Sequence, residues 1–385
     1  MLPFAYSMRN LARRPLRTSL TVAGIAVATA LIVMMTAFAA GLVGTLRHAA
    51  NPLNVMLLSL GAEQDPVRSA VDRRQAEVAA ASMPGIREDA SGRYVSIEVM
   101  QMMNVGTTRD QVEPPLVMVR GVSAGAWLVH DRVHVIDGRE PRGDNELIVG
   151  ALASSRLGVP ASRLDIGQKL WIENTEWTIT GHFVAPGTPL ESELWVPLND
   201  LMVATRRTDV TLVAATLRDQ AGMDNAMLYI DERVVDLQLL FVTEQAWYAS
   251  LLRLIDPIAA IAQALALLVL VGGVIGCANT LYASSLARTG ELAALQILGY
   301  TRLEVVTGLI VEGLLLTGMA GMIGLSLATA IGAVPLKIPM GAFAFRASGS
   351  DLLIGLAAAG TIGLVGALFP AWRLMQTEAA AARAM

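Results

Sequence analysis

Four stretches of this chain are so apolar and so poor in charge that water is an unfavourable environment for all of them, and they limit what the chain can become. A helix rises about 1.5 Å per residue, so crossing about 30 Å of hydrocarbon takes roughly 20 apolar residues. Residues 18–46, 257–287, 305–334 and 352–372 meet that test. The first two exceed it, which predicts that they continue as helical stalks into water. Of the 385 residues, 16% are charged, against about 25% in an average soluble domain. Most of the acidic residues fall between Glu63 and Asp256, so a water-facing middle separates the first apolar run from the other three.

The arginines Arg9, Arg13, Arg14 and Arg17 precede the first run. Ala37-Phe38-Ala39 imitates a signal-peptidase site, but signal-peptide cores are about 7–15 residues long and this run is far longer, so a retained span is expected. The positive-inside rule then puts the N-terminus in the cytoplasm, and alternation orders the rest. Residues 1–17 form a cytoplasmic N-terminal segment, 18–46 the first span and stalk, 47–256 an extracytoplasmic domain and 257–287 the second span. A cytoplasmic loop of 288–304, a third span of 305–334, a short outer loop of 335–351, a fourth span of 352–372 and a cytoplasmic tail of 373–385 follow. The expected fold class is a membrane α-helical protein with four transmembrane helices and a large extracytoplasmic α+β domain inserted between helices 1 and 2.

Within that domain, Pro66 to Ser82 has apolar residues at helical spacing, whereas Arg93 to Val99, Pro115 to Val119, Glu146 to Val149, Lys169 to Ile172 and Trp177 to Thr180 alternate or carry β-branched residues as strands do. Asp231 to Arg253 carries a helical apolar stripe and is expected to lead as a stalk into the second span.

Chemistry finds little purchase. A net charge of -4 without a dense basic block argues against a nucleic-acid partner. The single cysteine, Cys277, excludes an intrachain disulfide and a cysteine metal cluster. His130 and His134 stand four apart, but their surroundings look strand-like and no third ligand is evident. There is no G-x-S-x-G elbow. The only lysines, Lys169 and Lys337, do not follow a glycine, so no phosphate-cradling loop is present. No catalytic, cofactor-binding or metal residue is assigned on this chain, and any ATP hydrolysis belongs to another one. Glu312 lies inside the third apolar segment, where an ionised group costs at least about 2.5–3.5 kcal/mol unless paired or wetted. It is either a contact relevant to gating or a side chain snorkelling to the cytoplasmic interface. Gly313 follows, and then Gly318, Gly321 and Gly324 at three-residue steps, as a small face for close helix packing.

The run Val271-Gly272-Gly273-Val274-Ile275-Gly276-Cys277-Ala278-Asn279-Thr280, with Ala287-Arg288-Thr289-Gly290-Glu291-Leu292-Ala293-Ala294-Leu295-Gln296-Ile297-Leu298-Gly299-Tyr300-Thr301-Arg302, closely resembles the permeases of MacB/FtsX-type ABC transporters (type VII, mechanotransmission). Arg9 to Thr18 looks like that family's amphipathic N-terminus, an anchor holding Arg9, Arg13, Arg14 and Arg17, and Phe369-Pro370-Ala371-Trp372-Arg373 like its closing motif. Arg120-Gly121-Val122, Asp137-Gly138-Arg139-Glu140, Ile166-Gly167-Gln168 and Trp195-Val196-Pro197-Leu198 resemble its periplasmic core more loosely. Ala293-Ala294 and Gln296-Ile297 depart from the usual residues of the loop.

The resemblance implies a dimeric permease, a homodimer or a pair with a paralogue, in the bacterial inner membrane with both termini cytoplasmic. It implies two copies of a separate cytoplasmic ATPase, which would carry the ATP and Mg2+, gripping a coupling helix in the loop after the second span. On that reading Arg288, Glu291, Leu292, Leu295, Leu298, Gly299 and Arg302 contact the ATPase, with Arg288 and Glu291 on one helical face flanked by the leucines; the bland alternative is an amphipathic helix lying on lipid. The implied function is export or extraction of a lipophilic substrate, lipoprotein or peptide by mechanotransmission, with a periplasmic adaptor or substrate carrier as a further partner. The alternative is an FtsX-like signalling subunit controlling a periplasmic enzyme such as a cell-wall hydrolase; the larger outer domain favours the first.

Overall fold

The computed structural model describes residues 13, 15–63, 65–332, 334–338 and 341–381, so Arg9 and Arg14 lie outside the described residues. The chain divides into a helical unit of Met1–Gly41, Pro257–Val334 and Phe345–Met385 and a sheet unit of Leu42–Asp256 and Pro335–Ala344.

In chain order, α1 (Pro15–Ala49) leads to β1 (Asn54–Ser59), β2 (Val71–Asp72) and α2 (Arg73–Ser82). Then come β3 (Glu88–Asp89), β4 (Gly92–Arg93), β5 (Val95–Gly106), β6 (Leu116–Val122), α3 (Ala126–Val129), β7 (His134–Gly138), β8 (Glu146–Gly150) and α4 (Ala153–Leu157). They are followed by β9 (Lys169–Ile172), β10 (Thr175–Val184), β11 (Leu194–Pro197), α5 (Leu198–Thr205), β12 (Asp209–Val210), β13 (Leu212–Thr216), α6 (Gln220–Glu232), α7 (Val234–Leu237) and β14 (Leu239–Thr243). The remainder is α8 (Glu244–Leu286), α9 (Thr289–Ile297), α10 (Arg302–Ile331), β15 (Val334–Ile338), β16 (Gly341–Phe345) and α11 (Gly349–Ala381).

Four helices, α1, α8, α10 and α11, are long and apolar enough to cross a membrane. They share one core, with Val22, Ile25 and Ala26 of α1, Cys277 and Leu281 of α8, Leu316 and Ala320 of α10, and Ile362 and Ala367 of α11. Small residues let them approach. A Cβ on Gly324 would stand 2.5 Å from the Ala26 carbonyl oxygen, and one on Gly321 would stand 2.8 Å from the Ala359 Cβ. Gly318 meets nothing within 4 Å, so the expected small face packs through its other members. A capping box starts α10: Thr301 accepts from the Glu304 N–H at 3.3 Å, and the Glu304 carboxylate accepts from the Thr301 N–H at 2.9 Å.

Ten strands of the sheet unit form one mixed sheet in the order β14-β1-β13-β5-β6-β11-β8-β10-β7, with β9 pairing both β10 and β5. Pairs β8–β10 and β6–β11 are parallel. Alternation sorts the faces. Val55, Leu57, Val99, Met103, Val117 and Val119 join the main core with α2 and α6, whereas the residues between them, Met56, Met100, Met118 and Arg120, face the other way. On that second side Val122, Ile148, Phe183 and Trp195 pack together.

Two sequence expectations need correction. Asp231 to Arg253 is not a continuous stalk: α6 ends at Glu232 and β14 intervenes, pairing antiparallel with β1, before α8 starts at Glu244. Leu239-Leu240-Phe241-Val242 is apolar at both helical and strand periods, and the unpaired edge of β1 decides for the strand. Pro66 to Ser82 is likewise split, into a 3-10 turn at Pro66–Arg68, β2, and α-helix only from Arg73, where the Asp72 side chain accepts from the Arg74 and Gln75 N–H groups at 2.9 and 3.2 Å.

Candidate functional site

In the helical unit, α8 ends at Leu286 and Arg288 occupies the N-cap position of the short helix α9. Its guanidinium turns inward. The Arg288 Nη2 donates to both Glu312 carboxylate oxygens, at 3.1 and 3.0 Å, and to Ser284 Oγ at 3.0 Å, while Nε donates to the Ser284 carbonyl at 3.3 Å. Both charged side chains are buried. An isolated carboxylate here is expensive, and the guanidinium, whose one Nη2 is shared between both carboxylate oxygens, compensates it. Glu312 is therefore an internal ion pair rather than a side chain extended to an interface. A polar cavity of about 160 Å³ opens beside the pair, lined also by Arg13, Arg17, Thr280 and Glu291. Arg17 donates to the Thr280 carbonyl at 2.8 Å, and Arg13 meets Glu291 at 3.5 Å. Both of the described N-terminal arginines thus reach the end of α8 and the start of α9.

The geometry sorts the residues expected to meet an ATPase. Arg288 and Glu291 do not share an outward face: Arg288 is engaged by Glu312 and Glu291 by Arg13. Leu292 is buried and Leu295 half-buried. Leu298 is 77% exposed, and Ile297, passed over in the sequence as a departure, is 86% exposed. Gly299 closes the helix at a φ of +98°, a left-handed conformation that suits glycine, and Arg302 is exposed. The outward ridge of the loop is therefore Ile297–Leu298, with Glu291 to one side.

The sheet unit holds a second polar constellation. Strand register builds it: Met100 lies opposite Arg120, Trp195 flanks Arg120 on β11, and Glu98 and Glu193 sit two residues from those neighbours on the same side. Arg120 Nε and Nη2 donate to the Glu193 carboxylate at 2.7 and 2.8 Å, and Nη1 donates to Glu98 at 2.7 Å. Trp195 Nε1 donates to Glu193 at 2.8 Å, and His130 Nε2 lies 2.7 Å from Glu98. Side-chain exposure is 0% for Glu98, 5% for Arg120 and 3% for Glu193, so each charge depends on its partners. Burial disfavours the Glu98 carboxylate, but the charges and hydrogen bonds of His130 and Arg120 outweigh it and hold its pKa at about 2. Burial also disfavours a charged His130, and the adjacent Glu98 raises it above its ordinary value.

His130 follows the last residue of α3 while His134 starts β7, so their four-residue spacing is not helical. Sequence reasoning missed the cluster. The available signal was Arg120 within Val117-Met118-Val119-Arg120-Gly121-Val122, a charge in an otherwise apolar strand.

Two family models match the chain. The family described as MacB-like periplasmic core domain matches residues 18–233, and the FtsX-like permease C-terminal matches residues 264–379. The crystal structure of the extracellular domain of the noncanonic ABC-type transporter YknZ from Gram-positive bacteria is 16% identical, with a TM-score of 0.37, and covers 49% of this chain and 99% of its own. The periplasmic region of MacB from Actinobacillus actinomycetemcomitans is 7% identical, with a TM-score of 0.40, and covers 53% of this chain and 94% of its own. No curated protein matches the chain.

Proposed function

The chain belongs to the MacB/FtsX-type family of ABC-transporter permeases, and on that premise we propose that it couples ATP hydrolysis by a separate cytoplasmic ATPase to movement of its extracytoplasmic domain. The observation that carries this is the α9 loop, whose base is tied by Arg288 to Glu312 on α10 while Ile297 and Leu298 stand free. A short helix with an exposed aliphatic ridge and an anchored start can seat in a partner's groove and pass a push to the helices on either side. Two ATPase copies would grip two such loops, one from each permease of a dimer, in a bacterial inner membrane with both termini cytoplasmic. Closing of the ATPases on ATP and Mg2+ would bring the loops together. The first and second spans would carry the displacement outward, driving export or extraction of a lipophilic substrate, lipoprotein or peptide. The match of residues 264–379 to the FtsX-like permease C-terminal supports a second reading, in which the same movement controls a periplasmic enzyme such as a cell-wall hydrolase.

The ridge gives the test. Co-expressed with ATPase subunits encoded near it, the wild-type permease is expected to retain them through affinity purification. Placing aspartate at both Ile297 and Leu298 should cut retention at least ten-fold without changing the permease's own elution or melting. Undiminished retention by that double variant would remove the ridge from the interface.

A further inference from the structure

We infer that the cavity beside Arg120 in the sheet unit binds a small organic cation, an alkylammonium whose apolar part lies among methionines and whose charge meets Glu244. The cavity measures about 70 Å³. One wall is Met56, Met100 and Met118 from three strands of the sheet, and the opposite wall is Trp247, Tyr248, Leu251 and Ile255 from one face of α8. Arg120, His130, Glu193 and Glu244 supply the polar rim.

Charge selects the ligand. With all three carboxylates ionised and His130 protonated, Glu98, Glu193 and Glu244 stand against Arg120 and His130 and leave one negative charge in excess. Burial raises the pKa of Glu244; the charge of His130 and hydrogen bonds from Asn51 and Asn54 oppose that rise, and a bound ammonium would oppose it further. Arg120 is committed to Glu193 and Glu98, which leaves little for an incoming anion. Glu244 accepts from the Asn51 backbone N–H at 3.1 Å, and among the described residues no arginine or lysine is paired with it. A carboxylate with no arginine or lysine partner, next to Trp247 and Tyr248 with ring centroids 4.7 Å apart, is the pairing of charge and aromatic rings that recognises ammonium groups.

Size and shape select the rest. A 150 Å³ apolar cavity holds benzene; this one is about half that volume, so the buried part of the ligand is a short alkyl segment. Methionine walls adapt to such a segment at low cost. The helix that closes the cavity is α8, which runs on to Leu286. Binding at this cavity does not rest on the permease reading.

The test uses the full chain in lipid nanodiscs without ATPase, so its failure leaves the coupling proposal standing. By fluorine NMR, 4,4,4-trifluorobutylamine is expected to show saturable binding at one site per chain, and 4,4,4-trifluorobutyrate at least ten-fold weaker binding. Glu244→Gln should weaken amine binding at least ten-fold. Leu251→Trp, which fills the cavity, should abolish it. Met118→Ala, which enlarges the cavity without altering charge, should shift preference from 4,4,4-trifluorobutylamine toward its longer homologue 6,6,6-trifluorohexylamine. Equal binding of amine and butyrate, no saturable amine signal, or amine binding unchanged in all three variants would overturn the assignment.

Discussion

Replacing Arg120 with methionine is expected to destabilise the sheet unit by roughly 3–5 kcal/mol, the usual consequence of removing one member of a buried ion network. The reason is geometric: three guanidinium donors serve Glu98 and Glu193, and both carboxylates are buried. The loss should appear as a fall in melting temperature on the order of 10 °C. Tryptophan fluorescence of the full chain reports it, because Trp127, Trp171, Trp177, Trp195 and Trp247 lie in the sheet unit and only Trp372 of the six lies elsewhere. The triple variant Arg120→Met, Glu98→Gln, Glu193→Gln, which removes the orphaned charges as well, should recover at least half of the loss. A single Arg120→Met variant that melts like the parent would mean that the cluster is not energetically coupled.

The second large effect is expected at Arg288 and Glu312. Glu312→Ala leaves the buried Arg288 without its bidentate acceptor, freeing the start of α9 from α10. Permease-dependent ATP hydrolysis should fall at least ten-fold while the ATPase still co-purifies, because the Ile297–Leu298 ridge is untouched. Exchange of the two residues, Arg288→Glu with Glu312→Arg, should restore a substantial part of that stimulation, which a merely local packing role would not. Loss of ATPase retention together with stimulation would instead place the pair in the docking surface.

Much of the membrane half was legible because a spanning helix announces itself locally: twenty apolar residues need no partner to be recognised. The α1 and α8 helices do run beyond the hydrocarbon requirement, α8 for 43 residues, about 65 Å at 1.5 Å per residue. The partners of charges were not legible. Glu312 finds Arg288 24 residues away, and Arg120 finds Glu98 and Glu193 at separations of 22 and 73. Those distances are closed by strand register and helix packing, which no local pattern encodes. The same limit explains why Arg288 reads as an outward charge beside Glu291 when it is the inward base of the loop. It also explains β14, whose conformation is decided by the free edge of β1 rather than by its own residues. His130 stood out as a residue type, but its meaning came from Glu98, not from His134.

The central claim, that a separate ATPase works through this chain, is tested most directly by measuring the hydrolysis rate of co-purified ATPase in lipid with and without the permease. The account predicts a stoichiometric complex whose rate depends on the permease and loses that dependence when Ile297 and Leu298 are both aspartate. An ATPase that neither associates with the chain nor changes its rate in its presence would contradict it.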